Sequence, residues 1–197
     1  MKPWLKWVLI GAGAVAAYQT TIFFVELDER RRVSAQSLAY CRSIGKPYLV
    51  VGMRMYARHP DDGDVTLDVN PEVLNQPGGV VGDVRDMPFA NKQFGVCYCA
   101  HVLEHMYSIE DVQRAVAECT RVADYAAFLC PSPYSLVNLI HPTHHLRVWF
   151  DSSTDTIYTC PNNWRSPILL GTDYDRAPAV PHQVMIVDHA PFIRERT

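Results

Sequence analysis

The sequence predicts an α/β fold: an open, mostly parallel sheet with flanking helices, preceded by an N-terminal membrane helix. Five short apolar runs predict the sheet, because they lack the alternation of half-exposed strands and suit strands covered on both faces. An amphipathic segment between the fourth and fifth runs predicts a helix that packs on the sheet. A long apolar stretch near the N-terminus predicts the membrane helix.

The bulk composition fits one folded domain with a short accessory segment. The chain has 197 residues, of which 48% are hydrophobic and 20% charged, so it is not a disordered protein. Its net charge of -3 argues against a nucleic-acid partner, which would require a basic stripe. We predict three parts: an anchor over residues 1–28, a linking helix over 29–46 and the main domain over 47–197.

The predicted anchor is the apolar segment from Trp4 to Val25. Residues 4–25 hold one charge, Lys6, close to the start, and the stretch from Trp7 to Val25 approaches the length that crosses a hydrocarbon core. Small residues on this helix would allow close packing against another membrane-protein subunit. These residues are Gly11, Gly13, Ala14 and Ala17.

Two alternatives to an anchor stay open at this point. Ala14-Val15-Ala16 fits the small-x-small pattern of a signal-peptide cleavage site, and a buried or interfacial helix would have a similar composition. For an anchor, the cluster Arg30-Arg31-Arg32 on the domain side favours the cytoplasm. We therefore predict a single-pass membrane protein whose main domain lies on the cytoplasmic side.

The elements of the main domain follow in order after Gly45, which ends the linking helix. A capping box of Ser108 and Asp111 begins a helix with an apolar face that includes Val112 and Cys119. Beyond residue 150 the segments TIYTC, ILLG and QVMIVDH are predicted strands, and the proline-rich RAPAVPH is a predicted loop. The five strands before them are predicted over 48–52, 64–70, 79–83, 94–101 and 125–133.

Small or polar residues end four of these strands: Gly52, Asp68, Asp83 and His101. Ligands of open parallel sheets bind beyond the carboxyl ends of the strands. A carboxylate after the second strand can accept hydrogen bonds from both hydroxyls of a ribose. The sequence therefore predicts a small-molecule site at this edge.

The stretch GDVRDMPFANKQFGVCYCAHVLEHM, residues 82–106, resembles the class I methyltransferases that use S-adenosylmethionine. The shared pattern is Gly-Asp, a Leu-Pro-Phe-like turn, Phe-Asp and a strand ending in His-Val-Leu-Glu-His. LDVNPEV and CPSPYSLVNLIHPTHHLRVW are similar to further segments of that family, so the resemblance covers residues 47–150. It implies a Rossmann-like sheet, which an antiparallel pair of strands beyond residue 150 would close.

The resemblance also implies a cofactor and the residues that hold it. S-adenosylmethionine would bind at Gly52, Asp68, Asp83 and Val84, with Gly52 under its methionine end, Asp68 at the ribose and Asp83 at the adenine amine. His101 would line the pocket near the sulfonium and is the predicted catalytic residue. Positioning the acceptor in line and excluding water supply most of the rate of such a methyl transfer.

The chain departs from the family in its first loop. The usual Asp-x-Gly-x-Gly-x-Gly is replaced by VVGMRMY, which keeps Gly52 but has Arg54 and Tyr56 where glycines are usual, and Gly95 replaces a common acid. Two functions stay open. One is a membrane-anchored methyltransferase acting on a small or lipid-associated acceptor. The other is a catalytically inactive structural or assembly subunit of a membrane protein complex.

The cysteines and histidines predict no metal site. The six cysteines suit reduced core thiols, and Cys97-x-Cys99 has no second CxxC or close HxxxH partner that would indicate zinc. His101 and His105 straddle a strand end and a helix start. Glu104 and His105 are predicted to be structural. The segment HPTHH, residues 141–145, is predicted to hydrogen-bond within a loop, with metal binding and base catalysis as its alternatives.

Overall fold

The computed structural model describes residues 2–53, 63–132, 135–151, 156–162, 175–178 and 184–186. Two short 3₁₀ turns cover Pro71–Asn75 and Leu103–His105. The helices and strands in chain order are α1 (Pro3–Ile44), β1 (Tyr48–Val51), β2 (Val65–Asp68), β3 (Gly79–Val81), β4 (Phe94–Ala100), α2 (Ile109–Val122), β5 (Ala123–Leu129), α3 (Leu136–Ile140), β6 (Leu146–Asp151), β7 (Thr156–Pro161), β8 (Asp175–Pro178) and β9 (Val184–Ile186).

The N-terminal helix α1 is one continuous element. Pro3 at its first position is compatible with a helix start, and Gly45 ends it with a left-handed φ of 68°. The predicted anchor and linking helix therefore run into each other without a break at residue 28. An 18-residue window of α1 has a mean hydropathy of 1.7 and none of it is buried, so the helix is long and apolar enough to cross a membrane.

The second half of α1 packs on the central sheet and runs antiparallel to its strands. Cys41 contacts the beginning of β4, and further along the Tyr98 hydroxyl donates to the carbonyl oxygen of Arg30 at 3.4 Å. Beyond the end of β5, the N–H of Ser132 donates to Glu26 Oε1 at 2.6 Å. The exposed apolar half of α1 therefore leaves the domain at the carboxyl edge of the sheet.

Six strands form the central sheet in the order β3-β2-β1-β4-β5-β9, and every pairing is parallel. Each residue of β1 and β4 is buried, as continuous apolar runs predict. One face packs against α1 through Val33 and Cys41, and the other packs against α2 through Val112, Val116 and Cys119. The predicted Rossmann-like sheet with flanking helices is confirmed.

The glycine at position 95 lies directly under α1. A Cβ added to Gly95 would lie 2.9 Å from Cys41 Sγ and 3.3 Å from Cys41 Cα. A side chain at this position would therefore push the helix backbone away from β4. The departure from the family at this position has a packing reason in this chain.

The three strands β6, β7 and β8 form a separate antiparallel sheet. The prediction that an antiparallel pair closes the central sheet is wrong, because β7 belongs to this second sheet and β9 pairs in parallel with β5. The loop predicted over RAPAVPH overlaps β8, and no strand was expected at β6, which follows a histidine-rich segment. The predicted strand ILLG lies outside the described residues.

The cysteines are free thiols, and all except Cys130 are buried. Cys97 and Cys99 point to the same side of β4 and pack with Cys119 of α2 in one apolar cluster. Burial raises the pKa of the Cys97 thiol, which keeps it protonated. This cluster consists of reduced core thiols, as predicted.

Candidate cofactor site and the adjoining histidine cluster

Gly52 sits where the chain leaves β1, at the carboxyl edge of the sheet. Its φ of 96° is a conformation that residues with a Cβ rarely adopt. Its N–H donates to the Leu67 carbonyl oxygen at 2.9 Å, and a Cβ would lie 3.0 Å from Val102 Cγ2. Glycine is therefore required here by backbone conformation and by the close approach of the segment after β4.

Asp68, the last residue of β2, ties the loop after β1 to its own strand. Its Oδ2 accepts a hydrogen bond from the N–H of Met53, and its Oδ1 accepts from the N–H of Asn70 at 2.7 Å. A carboxylate oxygen has two lone pairs, so each oxygen keeps one for a further donor. By this count Asp68 can accept two further hydrogen bonds.

Asp83, beyond the end of β3, is held by Arg85. Its Oδ1 accepts from the Arg85 N–H at 2.8 Å and from Nε at 2.9 Å, and its Oδ2 accepts from Nη2 at 2.6 Å. This guanidinium lowers the pKa of the Asp83 carboxyl. Arg85 also donates to Asp111 Oδ1 of α2 at 3.0 Å, and Val84 beside it is buried. Both Asp83 oxygens are therefore engaged within the chain.

His101 follows β4 directly and has a left-handed backbone. Its φ is 56°, a conformation uncommon for a non-glycine residue and frequent at functional sites. Its N–H donates to the Leu129 carbonyl oxygen at 2.8 Å, and its side chain is a quarter exposed. The ring Nδ1 lies 3.6 Å from Glu104 Oε1.

Glu104 is a fully buried acid in the turn after β4. Neither carboxylate oxygen has a hydrogen-bond partner among the residues that the structure describes. Burial raises the pKa of this carboxyl to about 8, against the opposing charge of Arg30 from α1. Even as a neutral acid, a buried carboxyl group without hydrogen-bond partners is costly, and packing alone does not explain this side chain.

Two histidines lie beside Glu104, and each uses Nδ1 in a hydrogen bond. His105 Nδ1 lies 2.9 Å from the Thr143 carbonyl oxygen, and His144 Nδ1 lies 2.7 Å from Asn138 Oδ1. Their ring centroids are 4.8 Å apart and nearly perpendicular. Burial lowers the pKa of His105, and burial together with His105 lowers that of His144 to about 4.

The predicted cofactor and catalytic residues all lie at the carboxyl edge of the sheet. Gly52, Asp68, Asp83, Val84 and His101 each follow or end a central strand, as the sequence analysis expects. Whether they bind a cofactor stays a prediction. The loop residues Arg54 and Tyr56, which would decide how open the space above Gly52 is, lie outside the described residues.

The sequence did not predict the cluster of Glu104, His105 and His144. Structural roles were expected for Glu104 and His105, and hydrogen bonding within a loop was expected for His144, with metal binding and base catalysis as alternatives. The cluster could have been predicted from the positions of two polar segments relative to the strands. Glu104-His105 follows β4 and HPTHH follows β5, and these two strands are neighbours in the sheet. Polar side chains after neighbouring parallel strands meet at one edge.

A family model described as "Methyltransferase domain" matches residues 54–129. This range lies inside the 47–150 span of the predicted resemblance and includes Asp68, Asp83 and His101. No curated protein matches the chain. The match confirms the resemblance that the motifs predicted, because residues 54–129 match the model of a class I S-adenosylmethionine-dependent methyltransferase domain.

Proposed function

We propose that the protein is a membrane-anchored S-adenosylmethionine-dependent methyltransferase that acts on a small or lipid-associated acceptor. The observation that carries this proposal is the course of α1. Its exposed apolar half leaves the domain at the carboxyl edge of the sheet, where Gly52 and Asp68 end their strands. A helix that enters the bilayer from this edge would hold the site against the membrane surface.

The short helix α3 supports the same orientation. Leu136, Val137 and Ile140 have exposed apolar side chains, and they follow β5 at the carboxyl edge. The N–H of Leu136 donates to Gln19 Oε1 at 2.8 Å, so α3 lies beside α1 close to the apolar half. An apolar patch next to a membrane helix suits the interfacial region of a bilayer. A lipid-borne acceptor would reach the site from this side.

The geometry of the strand-end residues supports the cofactor roles that we propose for them. Asp68 fits the ribose, because it keeps one lone pair on each oxygen, and Gly52 fits because its backbone has no Cβ. Asp83 could accept from an adenine amine only if Arg85 released one of the two Asp83 oxygens. Val84, the next residue, is buried and would contact the cofactor beside Asp83. When bound, S-adenosylmethionine supplies the methyl group from its sulfonium.

His101 would position the acceptor at the end of β4. Its left-handed backbone and partly exposed ring place an imidazole at the edge that the cofactor residues share. A base is needed only for an acceptor whose proton has a high pKa; otherwise alignment suffices. The cytoplasmic placement of the domain is also part of the proposal, supported by Arg30-Arg31-Arg32 on the domain side of the apolar half.

Cofactor affinity tests this proposal. Asp68→Asn replaces the charged acceptor proposed for the ribose hydroxyls by a neutral amide. A hydrogen bond to a charged group contributes about 1.5–3 kcal/mol, so we expect S-adenosylmethionine to bind roughly 10- to 150-fold more weakly. Asp86→Asn is the matched control, because Asp86 is exposed and lies in the turn after β3. Isothermal titration of the full chain in nanodiscs measures both affinities. A wild-type protein that does not bind at millimolar cofactor would contradict the proposal.

The second candidate function is a catalytically inactive assembly subunit. The clamp of Arg85 on Asp83 favours it, because both oxygens of this carboxylate are already used. The exposed small-residue face of α1, with open space around Gly11 and Gly13, offers a surface for another membrane helix. Stable co-purification with a membrane complex, together with no cofactor binding, would favour this function over the first.

A further inference from the structure

Three potential metal ligands lie together at the carboxyl edge of the sheet. One carboxylate oxygen of Glu104 and one ring nitrogen each of His105 and His144 all lie within 4.8 Å of one another. His144 Nε2 is 3.9 Å from Glu104 Oε1. The N–H of His145 donates to the Glu104 carbonyl oxygen at 2.8 Å, which holds the two segments together.

The hydrogen bonds of the two imidazoles prepare their other nitrogens for a cation. His105 Nδ1 bonds the Thr143 carbonyl oxygen, and His144 Nδ1 bonds Asn138 Oδ1. Both of these oxygens can only accept a hydrogen bond. The Asn138 orientation is supported by its Nδ2, which donates to the Ser132 carbonyl oxygen at 3.4 Å. Each Nδ1 therefore carries a proton, and a neutral ring then offers the lone pair of Nε2. Metal-bound histidines usually have such a partner on the second nitrogen.

Glu104 is the independent observation that points to a ligand. Its side chain is fully buried, and both oxygens lack hydrogen-bond partners within the described part of the chain. Native proteins rarely leave a buried carboxylate unpaired, and a bound cation is one of the few groups that would compensate it. The acid faces the two imidazoles and His101, whose Nδ1 is 3.6 Å away.

We propose that Glu104, His105 and His144 bind a divalent first-row transition metal. Two imidazoles and one carboxylate suit Zn²⁺, Fe²⁺ or Mn²⁺ better than Mg²⁺ or Ca²⁺, which prefer oxygen ligands. Ligands at about 2.1 Å from a metal lie about 3.0–3.4 Å apart, so these side chains close in on binding. Three protein ligands leave a coordination position open to water or to an acceptor oxygen, as in catalytic metal sites.

This site goes beyond the proposed methyl transfer and does not depend on it. A metal beside His101 and the cofactor edge would bind an acceptor hydroxyl and lower its pKa, which removes the need for a protein base. Metal binding itself is measurable without any methyl acceptor or cofactor. Its failure and the failure of cofactor binding are therefore separate results.

Titration of the tag-free full chain in nanodiscs, stripped with a chelator, tests the site. We expect Zn²⁺ to bind with one-to-one stoichiometry and more tightly than Mn²⁺, with Mg²⁺ weakest. Glu104→Gln and His144→Gln should each weaken Zn²⁺ binding at least about 100-fold, since each removes a ligand. Asn138→Ala should weaken it about 10- to 100-fold through the loss of the His144 hydrogen bond.

His145→Gln is the matched control. The His145 ring stacks on Tyr107 instead of facing Glu104, and the substitution keeps the backbone hydrogen bond, so Zn²⁺ affinity should stay unchanged. X-ray absorption at the zinc edge of the wild-type protein should show nitrogen and oxygen ligands with imidazole scattering, a readout that needs no variant. A sulfur ligand, no one-to-one binding, or equal affinity in Glu104→Gln and the wild type would overturn the proposal.

Discussion

Asp68 and Asp83 end neighbouring strands but are held by different partners. Asp68 accepts two backbone N–H groups, which leave a lone pair on each oxygen for a further donor. Asp83 forms an ion pair with the Arg85 guanidinium, which also donates to Asp111 on α2. At the residue scale, the ribose position therefore fits the family role more closely than the adenine position does.

Replacing Gly52 by alanine should destabilise the domain by more than the same change at Gly45. Both glycines have left-handed φ values, which cost a residue with a Cβ about 1–2 kcal/mol, but a Cβ at position 52 also meets Val102 at 3.0 Å, whereas one at position 45 meets nothing. Urea unfolding of Gly52→Ala, Gly45→Ala and the double variant Gly52→Ala/Val102→Ala measures the difference. Equal losses for the two single variants would contradict this account.

The helix α2 fixes the turn between β3 and β4 through one ion pair. Glu118 accepts from Arg121 Nε at 2.6 Å and from the Met87 N–H at 2.8 Å, and Arg121 donates to the Phe89 carbonyl oxygen at 2.8 Å. The turn that carries the Pro-Phe motif is thereby bonded to the helix. At the element scale, α2 contributes to the site by positioning the segment that follows Asp83.

Glu118→Gln should lower stability at pH 7 by about 1.5–3 kcal/mol, because it removes the charge from these hydrogen bonds. Arg121 lowers the pKa of Glu118, so its contribution is present above the unfolded pKa near 4.3 and is lost as pH falls through the folded pKa. Urea unfolding at pH 7 and at pH 3 measures this.

The wild type and Glu118→Gln should have nearly equal free energies of unfolding at pH 3. Glu110→Gln, an exposed change in the first turn of the same helix, is the control and should show a smaller pH-dependent difference. A Glu118→Gln deficit that persists unchanged at pH 3 would mean that packing, and not charge, holds the turn.

The two halves of α1 give the whole molecule its direction. The second half is part of the domain core through Val33 and Cys41, while the first half is exposed and apolar. Because the helix is continuous, the proposed membrane insertion of its first half would turn the carboxyl edge of the sheet toward the bilayer. The apolar face of α3 at this edge extends the same surface.

Ala14→Arg should release the protein from membranes, whereas the control Ala35→Arg should not. Both alanines are exposed on α1, but Ala14 lies in the apolar half and Ala35 in the half that packs on the sheet. An arginine at the centre of a membrane helix costs about 2.5–3.5 kcal/mol on insertion scales. Flotation of the full chain with vesicles measures the bound fraction. Ala14→Arg protein that floats like the wild type would contradict a membrane-crossing α1.

Residue patterns were sufficient to predict the parallel sheet, its flanking helices and the edge at which the cofactor site is expected. Continuous apolar runs indicate buried parallel strands, and strand ends place Gly52 and Asp68, because both signals are local. Only the folded chain shows that Arg85 reaches Asp111 on α2 and that Glu104 lies beside His144. Each of these contacts joins segments far apart in the chain, and no local pattern specifies which distant side chains the fold brings into reach.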